Sequence, residues 1–217
     1  MIRSKAALIS SFVILCVCMV LSFPFPNNKM LDARATFMSF PIRDHDGYIT
    51  IGIIGSILLV IAMILLVISL KKYHFRTIFI VIIVNAMLPN FLITMYQETL
   101  ASGIAAISYD GKGQCDFENV SKDQLIGECN FTFHNRSNEA VTFEIEFLDH
   151  YFMEDELRME SLMNVAGPHV ITIEANREKS IYVKELLNLT NVPNHIDSGS
   201  SNSIHFKLIS GKTYRIL

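Results

Sequence analysis

Two cysteines in the second half of the chain are the residues best placed for covalent chemistry. Cys115 and Cys129 flank Asp116–Glu128, a segment that could reverse direction and bring two strands together. Thiols outside the cytoplasm can form disulfides that persist. We therefore predict a bond between Cys115 and Cys129, with two reduced core cysteines as the alternative. Cys16 and Cys18 lie in an apolar run, and we interpret them as small hydrophobic residues.

The densest group of possible metal ligands comes later. Asp149 and His150 precede Glu154, Asp155 and Glu156, and carboxylates with an imidazole could hold a divalent cation if the chain folds back. Solvated acidic residues at the end of a strand explain the same pattern more simply. We therefore predict no metal site and no cofactor, and we interpret the three consecutive acidic residues as a candidate surface for a basic partner.

Local motifs for catalysis are missing from the sequence. It contains no Gly-x-Ser-x-Gly, no His-Glu-x-x-His, no Gly-rich phosphate loop and no Cys-x-x-Cys. An enzyme built from scattered residues would need a cleft with convergent titratable groups. We expect that the protein is not an enzyme, and an envelope hydrolase stays as an alternative.

The element that organises the chain is a pair of long apolar runs, Ile49–Leu70 and Thr77–Tyr96, joined by the basic turn 71–76. Each run lacks charged residues and is long enough to cross a hydrocarbon core of ~30 Å as a helix. Only a helix satisfies its backbone hydrogen bonds in lipid, so residues 49–96 are predicted to form a transmembrane helical hairpin. Short loops rich in Lys and Arg stay on the cytoplasmic side, which places both outer ends of the hairpin outside.

A third apolar run, Ala6–Phe23, follows Arg3 and Lys5 and stops at Pro24. This is the charge layout of a secretory signal, but no small-residue cleavage site follows it. We predict a retained signal-anchor over residues 1–23, which makes three transmembrane helices with a cytoplasmic N-terminus. Cleavage would leave two helices and the same orientation.

Polar and small residues mark positions inside these helices. Asn85 and Asn90 lie in the third helix around Pro89, which should bend it. We predict that both asparagines make hydrogen bonds between helices, and a transport path is the alternative use. Gly52 and Ser56 form a small-x-x-x-small step in the second helix, which we interpret as packing within the chain.

The remaining segments are predicted to lie outside the membrane. Residues 24–48 form an external loop, in which Asp44-His45-Asp46-Gly47 is interpreted as a polar turn. From residue 97 onward the chain carries 10 Lys and Arg against 18 Asp and Glu, a net charge of −8. A domain of that charge lacks the basic face that nucleic acid requires, so nucleic acid is excluded as a partner.

The last segment, 97–217, changes from continuous to alternating hydrophobicity. Glu128–His134 and 141–148 alternate with period two, which predicts strands with one buried face, and the polar gap between them predicts a hairpin. The residues predicted to share the buried faces are Phe131, Phe133, Val141, Phe143, Ile145 and Phe147. Weaker repeats bring the total to seven or eight short strands, typical of an antiparallel β-sandwich, and Asn191–Asn202 is predicted to be a surface loop.

The pattern Cys-x-Phe-x-Phe-x-Asn-x-Ser over Cys129–Ser137, followed by Val-x-Phe-x-Ile-x-Phe, resembles immunoglobulin-like or fibronectin-like accessory sandwiches. The resemblance covers about half of the outer domain and lacks the tryptophan core marker. It implies a fold and transfers no function.

These observations together predict a multi-pass protein of the cell membrane. Its lipid-embedded half anchors an extracytoplasmic, immunoglobulin-like β-sandwich that binds an envelope or membrane protein or a ligand, as an accessory subunit of a larger complex. A component of a transporter or channel is the first alternative. Four Asn-x-Ser/Thr sequons begin at Asn119, Asn130, Asn135 and Asn188, and they bear on the domain where the host glycosylates secreted proteins.

Overall fold

The computed structural model describes residues 2–27, 33, 35–38, 40–43, 47–149, 157–202 and 204–217. The chain divides into two compact units. The first comprises Met1–Phe25 and Lys29–Thr94, and the second comprises Pro26–Asn28 and Met95–Leu217. The first unit contains the helices and the second contains a large all-β region of antiparallel sheets.

Three helices form where the apolar runs predicted them: α1 (Lys5–Leu21), α2 (Thr50–Ser69) and α3 (His74–Thr99). Only α2 and α3, among the described residues, are long and apolar enough to cross a membrane. Two of the three predicted transmembrane helices therefore qualify as membrane spans, and α1, with 17 residues, does not. At 1.5 Å per residue it extends about 26 Å, short of a ~30 Å core. Ser4 caps its start and the prolines after Phe23 prevent its extension.

Helix α1 packs antiparallel along α2. The side chains that α2 buries repeat at alternating steps of three and four residues, the spacing of a two-helix seam: Gly52, Gly55, Leu59, Ala62, Leu66 and Ser69. The Ser11 hydroxyl donates to the Ala62 carbonyl at 2.8 Å, and the Arg3 amide donates to the Ser69 carbonyl at 2.7 Å. The contact therefore continues to the last turn of α2.

A short hairpin, β1 (Ala35–Phe37) and β2 (Phe40–Arg43), packs against the small residues of α2. A methyl group at Gly52 would overlap the Pro41 carbonyl oxygen, and one at Gly55 would overlap the Phe40 ring. Phe40 is buried, in one cluster with Cys18 and Leu59. The small step in α2 thus serves packing within the chain, but its partner at Gly52 is strand backbone and not a helix.

Nine strands lie in the second unit within the described part of the chain. They are β3 (Ile107–Tyr109), β4 (Gln114–Ser121), β5 (Gln124–Asn135), β6 (Val141–Leu148), β7 (His169–Ile173), β8 (Glu178–Asn188), β9 (Gly199–Asn202), β10 (His205–Ser210) and β11 (Thr213–Ile216). One sheet has the order β11-β10-β6-β7. In the other, β5 pairs with β8 along one side and with β4 and β3 along the opposite side, and β9 pairs with β4.

The predicted hairpin between 128–134 and 141–148 is wrong, because β5 and β6 belong to different sheets. Their alternating apolar residues meet across the space between the sheets, where the Phe131 ring lies 5.9 Å from the Phe147 ring and the Phe133 ring 5.7 Å from the Phe143 ring. All six residues predicted for the buried faces are buried. The pattern identified the buried faces correctly, but the two strands contact each other through core side chains and are not paired by backbone hydrogen bonds.

The connection between β5 and β6 is organised by Asn135, which is fully buried. Its amide nitrogen donates to the carbonyls of Glu139, Ile173 and Glu174 at 2.8 to 3.1 Å. Its side-chain oxygen accepts from the Ser137 amide and hydroxyl at 3.0 and 2.8 Å. One side chain thereby holds together the end of β5, the following turn and the end of β7.

One other prediction needs correction. Asn191–Asn202 is not wholly a loop, because Gly199–Asn202 pairs with the open edge of β4 as β9. These small polar residues have weak strand propensity, and the available edge determines their conformation. The connection between β6 and β7 contains a 3-10 helix, Glu160–Ala166. Asn164 from that helix bonds both backbone groups of Phe147, beyond the point where β7 stops pairing with β6.

Candidate functional site

The outer face of the five-stranded sheet carries an ordered row of polar side chains. Glu128 in β5 lies opposite Lys184 in β8 and opposite Asp116 in β4. Lys184 donates to one carboxylate oxygen of Glu128, and the Tyr182 hydroxyl donates to the other at 2.6 Å. These two hydrogen bonds, the lysine's first, hold the pKa of Glu128 below its ordinary value. The same carboxylate raises the pKa of both Lys184 and Tyr182. Glu128 and Lys184 therefore form an ion pair at neutral pH, with the Tyr182 hydroxyl bonded to the same carboxylate.

A shallow polar depression of about 330 Å³ lies beside this row. Gln114 in β4 donates its amide to both oxygens of Asp116 at 3.2 and 3.0 Å, which orients that carboxylate. Asn130 and Ser180, joined at 3.3 Å, form another part of the lining. The depression offers hydrogen-bond donors and acceptors to a partner, without a buried nucleophile or an enclosed cleft.

Two large side chains rise from the same face of β8. Tyr182 is 62% exposed and Leu186 is 58% exposed, one on each side of Lys184. A tyrosine offers a broad apolar ring with one polar atom at low entropy cost, and exposed aromatic residues of this kind often dominate binding energy. We take Glu128, Tyr182, Lys184 and Leu186 together as the β8 face.

The junction between α3 and the strands is the most heavily bonded polar cluster of the second unit. Gln97, in the last turns of α3, donates to the carbonyls of Ala105 and Ile107 at 3.0 and 3.1 Å. Arg215 in β11 is buried and donates to Ile104, Ala105 and Ile107 carbonyls around the 3-10 helix Gly103–Ala106. Burial lowers the pKa of Arg215 to about 10, so the guanidinium keeps its charge at neutral pH.

This junction also includes the segment before the helical hairpin. Arg215 donates to the Pro26 carbonyl at 2.9 Å, and the Ile216 amide donates to the Asn27 side chain at 3.0 Å. Arg136 pairs with Glu98 at 2.7 Å. The end of α3, from Met95 onward, therefore belongs to the all-β unit.

The two cysteines of the second unit lie directly opposite each other on β4 and β5. Cys115 and Cys129 are fully buried, with their Cα atoms 4.1 Å apart and their sulfur atoms at disulfide-bonding distance. The predicted bond is compatible with this geometry.

The predicted acidic partner surface, Glu154, Asp155 and Glu156, lies outside the described residues, as does Asp44-His45-Asp46. Of the possible metal ligands, Asp149 is described, and its carboxylate accepts from the Met159 and Ser161 amides at 3.0 and 2.8 Å. Among the described residues, no three His, Cys, Asp or Glu side chains are close enough to hold a metal ion.

The two asparagines of α3 face different surroundings. Asn85 lines an apolar groove of about 530 Å³ between α2 and α3, in which it is the polar residue among aliphatic, methionine and phenylalanine side chains. Asn90 is exposed, whereas Pro89 is buried. Within the described part of the chain, neither asparagine side chain makes a hydrogen bond.

The β8 face and the junction were not identified from the sequence. The alternation within 179–185 places Tyr182 and Lys184 on one face, so their shared face could be predicted from the sequence. Their partner Glu128 is 54 and 56 residues away, and only the β5–β8 register brings it beside them. No known protein family, curated protein or solved structure matches the chain.

Proposed function

We propose that the chain is a multi-pass membrane protein whose C-terminal domain is an extracytoplasmic, immunoglobulin-like sandwich that binds another envelope protein through the β8 face. It acts as a non-catalytic accessory subunit. The observation that carries the proposal is the β8 face itself: an exposed tyrosine and leucine flank a hydrogen-bonded Glu128–Lys184 pair on a rigid sheet. A scaffold of paired strands positions such side chains at little entropic cost.

The helical unit supports an anchoring role with three membrane passages. α1 and the residues just before it make hydrogen bonds to the Ser69, Ala62 and Gly55 carbonyls of α2. It therefore runs beside α2 over most of the length of that helix. Local thinning of the bilayer can accommodate its shorter length at modest cost. The segments proposed to be cytoplasmic carry five basic residues and no acidic one, which favours the outward orientation of the β domain.

The polar cluster at the end of α3 supports attachment of the β domain to the chain that follows the helices, because the residues from Met95 onward belong to the second unit. Gln97 and Arg215 attach the end of that helix to the same carbonyl groups of the 3-10 helix.

The test is photocrosslinking in intact cells. A photoreactive amino acid replaces Ser180, a neighbour of Tyr182 on the β8 face, and the crosslinked partner is identified by mass spectrometry. Tyr182→Ser should reduce capture of that partner by at least about fivefold, because exposed aromatic anchors contribute ~1–2 kcal/mol or more. Thermal stability should stay nearly unchanged, because the ring is mostly in solvent.

Tyr214→Ser provides the matched control. Tyr214 is 57% exposed, close to the value for Tyr182, but it lies on β11 in the other sheet. Capture should persist in this variant. If both substitutions reduce capture equally, or neither does, the β8 face is not the binding surface.

A further inference from the structure

Helix α3 brings polar groups to membrane depth without giving them partners in its own chain. Neither Asn85 nor Asn90 makes a side-chain hydrogen bond within the described residues, and Pro89 has no N–H for the Asn85 carbonyl. Counted from Thr77 at 1.5 Å per residue, Asn90 lies roughly 20 Å into a core of ~30 Å. An unpaired carboxamide is costly there, so such residues normally face protein.

The surface around Asn90 is shaped for another helix. Residues three, four, seven and eleven positions earlier fall on the same side of α3: Phe79, Ile83, Ala86 and Met87. All four are exposed. Ala86 lies at the border of this side, because it also lines the groove beside α2, and its small side chain leaves room for close approach one turn before the asparagine. Asn85 points about 140° away, into the groove beside α2, because five residues separate it from Asn90. We define the Asn90 face as Phe79, Ile83, Ala86, Met87 and Asn90.

We propose that the Asn90 face is a helix–helix interface with a second copy of this chain. The inference rests on the proposed membrane location. A second copy fits because a carboxamide has both donor and acceptor atoms, so two Asn90 side chains related by a two-fold axis satisfy each other. The interface needs no charged or differently shaped partner surface. The apolar neighbours on this face then pack against their own counterparts.

The experiment measures self-association of the full chain in lipid. Donor-labelled and acceptor-labelled copies are reconstituted in phosphatidylcholine vesicles, and energy transfer is followed as protein is diluted with lipid. Asn90→Leu should weaken association about 3- to 30-fold, the range seen for hydrogen bonds between membrane helices. Asn90→Gln keeps the carboxamide and should restore part of the loss. A chain that stays monomeric at every dilution overturns the inference.

Asn85→Leu is the matched control, since it makes the same chemical change on the same helix but on another side. It should alter association by less than about twofold, and an effect equal to that of Asn90→Leu overturns the assignment of the face. Cysteine crosslinking gives a second measure in a Cys16→Ser, Cys18→Ala background. Ile83→Cys should form a dimer and Leu92→Cys, about 160° around the helix from Asn90, should not.

Two further outcomes separate this inference from the proposed function. Extraction of the protein from membranes by alkaline carbonate would refute the membrane location, and both proposals would fail together. A photoreactive group at Met87 that crosslinks in cells to a different protein, and never to a second copy, refutes the second copy alone. Integration in the membrane with loss of energy transfer in Asn90→Leu supports both.

Discussion

At the scale of single residues, Tyr109 shows how a polar atom can be accommodated in the aromatic core. Its hydroxyl accepts from the Gly113 amide at 2.6 Å, and its ring lies edge-on to Phe133 and Phe206 at 5.5 and 5.1 Å. A side chain at Gly113 would collide with that hydroxyl. Burial raises the pKa of Tyr109 to about 12. The phenol therefore stays protonated in the folded domain when it would ionise in the unfolded chain.

This shift predicts an alkaline loss of stability. The unfolded phenol has a pKa of about 10, so the contribution is complete below pH 10 and disappears as the pH rises toward 12. Its size should be about 1 to 2 kcal/mol, allowing for partial exposure of the ring. Denaturant unfolding of the wild type and of Tyr109→Phe at pH 8 and pH 11 measures it.

The wild type should lose more stability than the variant between those two pH values, because phenylalanine cannot ionise. At pH 8 the variant should be the less stable protein, since it leaves the Gly113 amide without its acceptor. Parallel losses in the two proteins would show that Tyr109 does not titrate as described.

At the scale of elements, alternation predicted faces but not neighbours. Phe131, Phe133 and Phe143 were assigned to the core correctly, because period two decides which side of a strand is apolar whatever that strand pairs with. The pairing of β5 with β8 joins residues 44 to 64 positions apart, from His134 with Glu178 to Gln124 with Asn188, for which the local sequence holds no signal. β9 escaped prediction for a related reason, since its Gly-Ser-Ser-Asn sequence is a strand only because β4 offers an edge.

The pairing of β4 with β5 carries its own prediction. A disulfide between Cys115 and Cys129 closes a loop with a sequence separation of 14 and should stabilise the domain by about 3 kcal/mol. Cys129→Ala, or reduction, should lower the free energy of unfolding by that amount. Mass mapping of non-reduced peptides should recover the two cysteines in one linked species. Recovery of free thiols at both positions would contradict the bond.

In α2, Gly52 is a packing position within the chain, as interpreted from the sequence, yet its neighbour was unexpected. The Ser56 hydroxyl donates to the Gly52 carbonyl of the same helix at 2.7 Å. The hairpin β1–β2 has no strong sequence signature, and only the fit of Pro41 and Phe40 to the two glycines reveals it. Helix ends were predictable to within a few residues, because charges and prolines mark them. A difference of a few residues in helix length decides whether an apolar helix spans the hydrocarbon core. The 17 residues of α1 are close to that limit.

At the scale of the whole molecule, the proposed orientation is directly testable. A protease added to intact cells or spheroplasts should remove the β domain, residues 97–217, because the basic turn 71–76 favours the cytoplasmic side. The turn itself should be protected until the membrane is opened. A cysteine placed at Lys72 should correspondingly resist membrane-impermeant maleimide, and one placed at Lys212 should react. The reverse pattern would invert the topology.

The buried amide of Asn135 has a practical consequence for producing the protein. Asn135-Arg136-Ser137 is a glycosylation acceptor, yet its nitrogen already donates to three carbonyls in a fully buried site. A glycan on that nitrogen would be incompatible with the folded domain. Substitutions that destroy the glycosylation sequence would also disturb the fold. Replacing Ser137 removes a member of the same hydrogen-bond network. Proline cannot replace Arg136, because the Arg136 amide donates to the Ala106 carbonyl at 3.1 Å. Expression in a host that does not glycosylate asparagine avoids competition between glycosylation of Asn135 and folding of the domain.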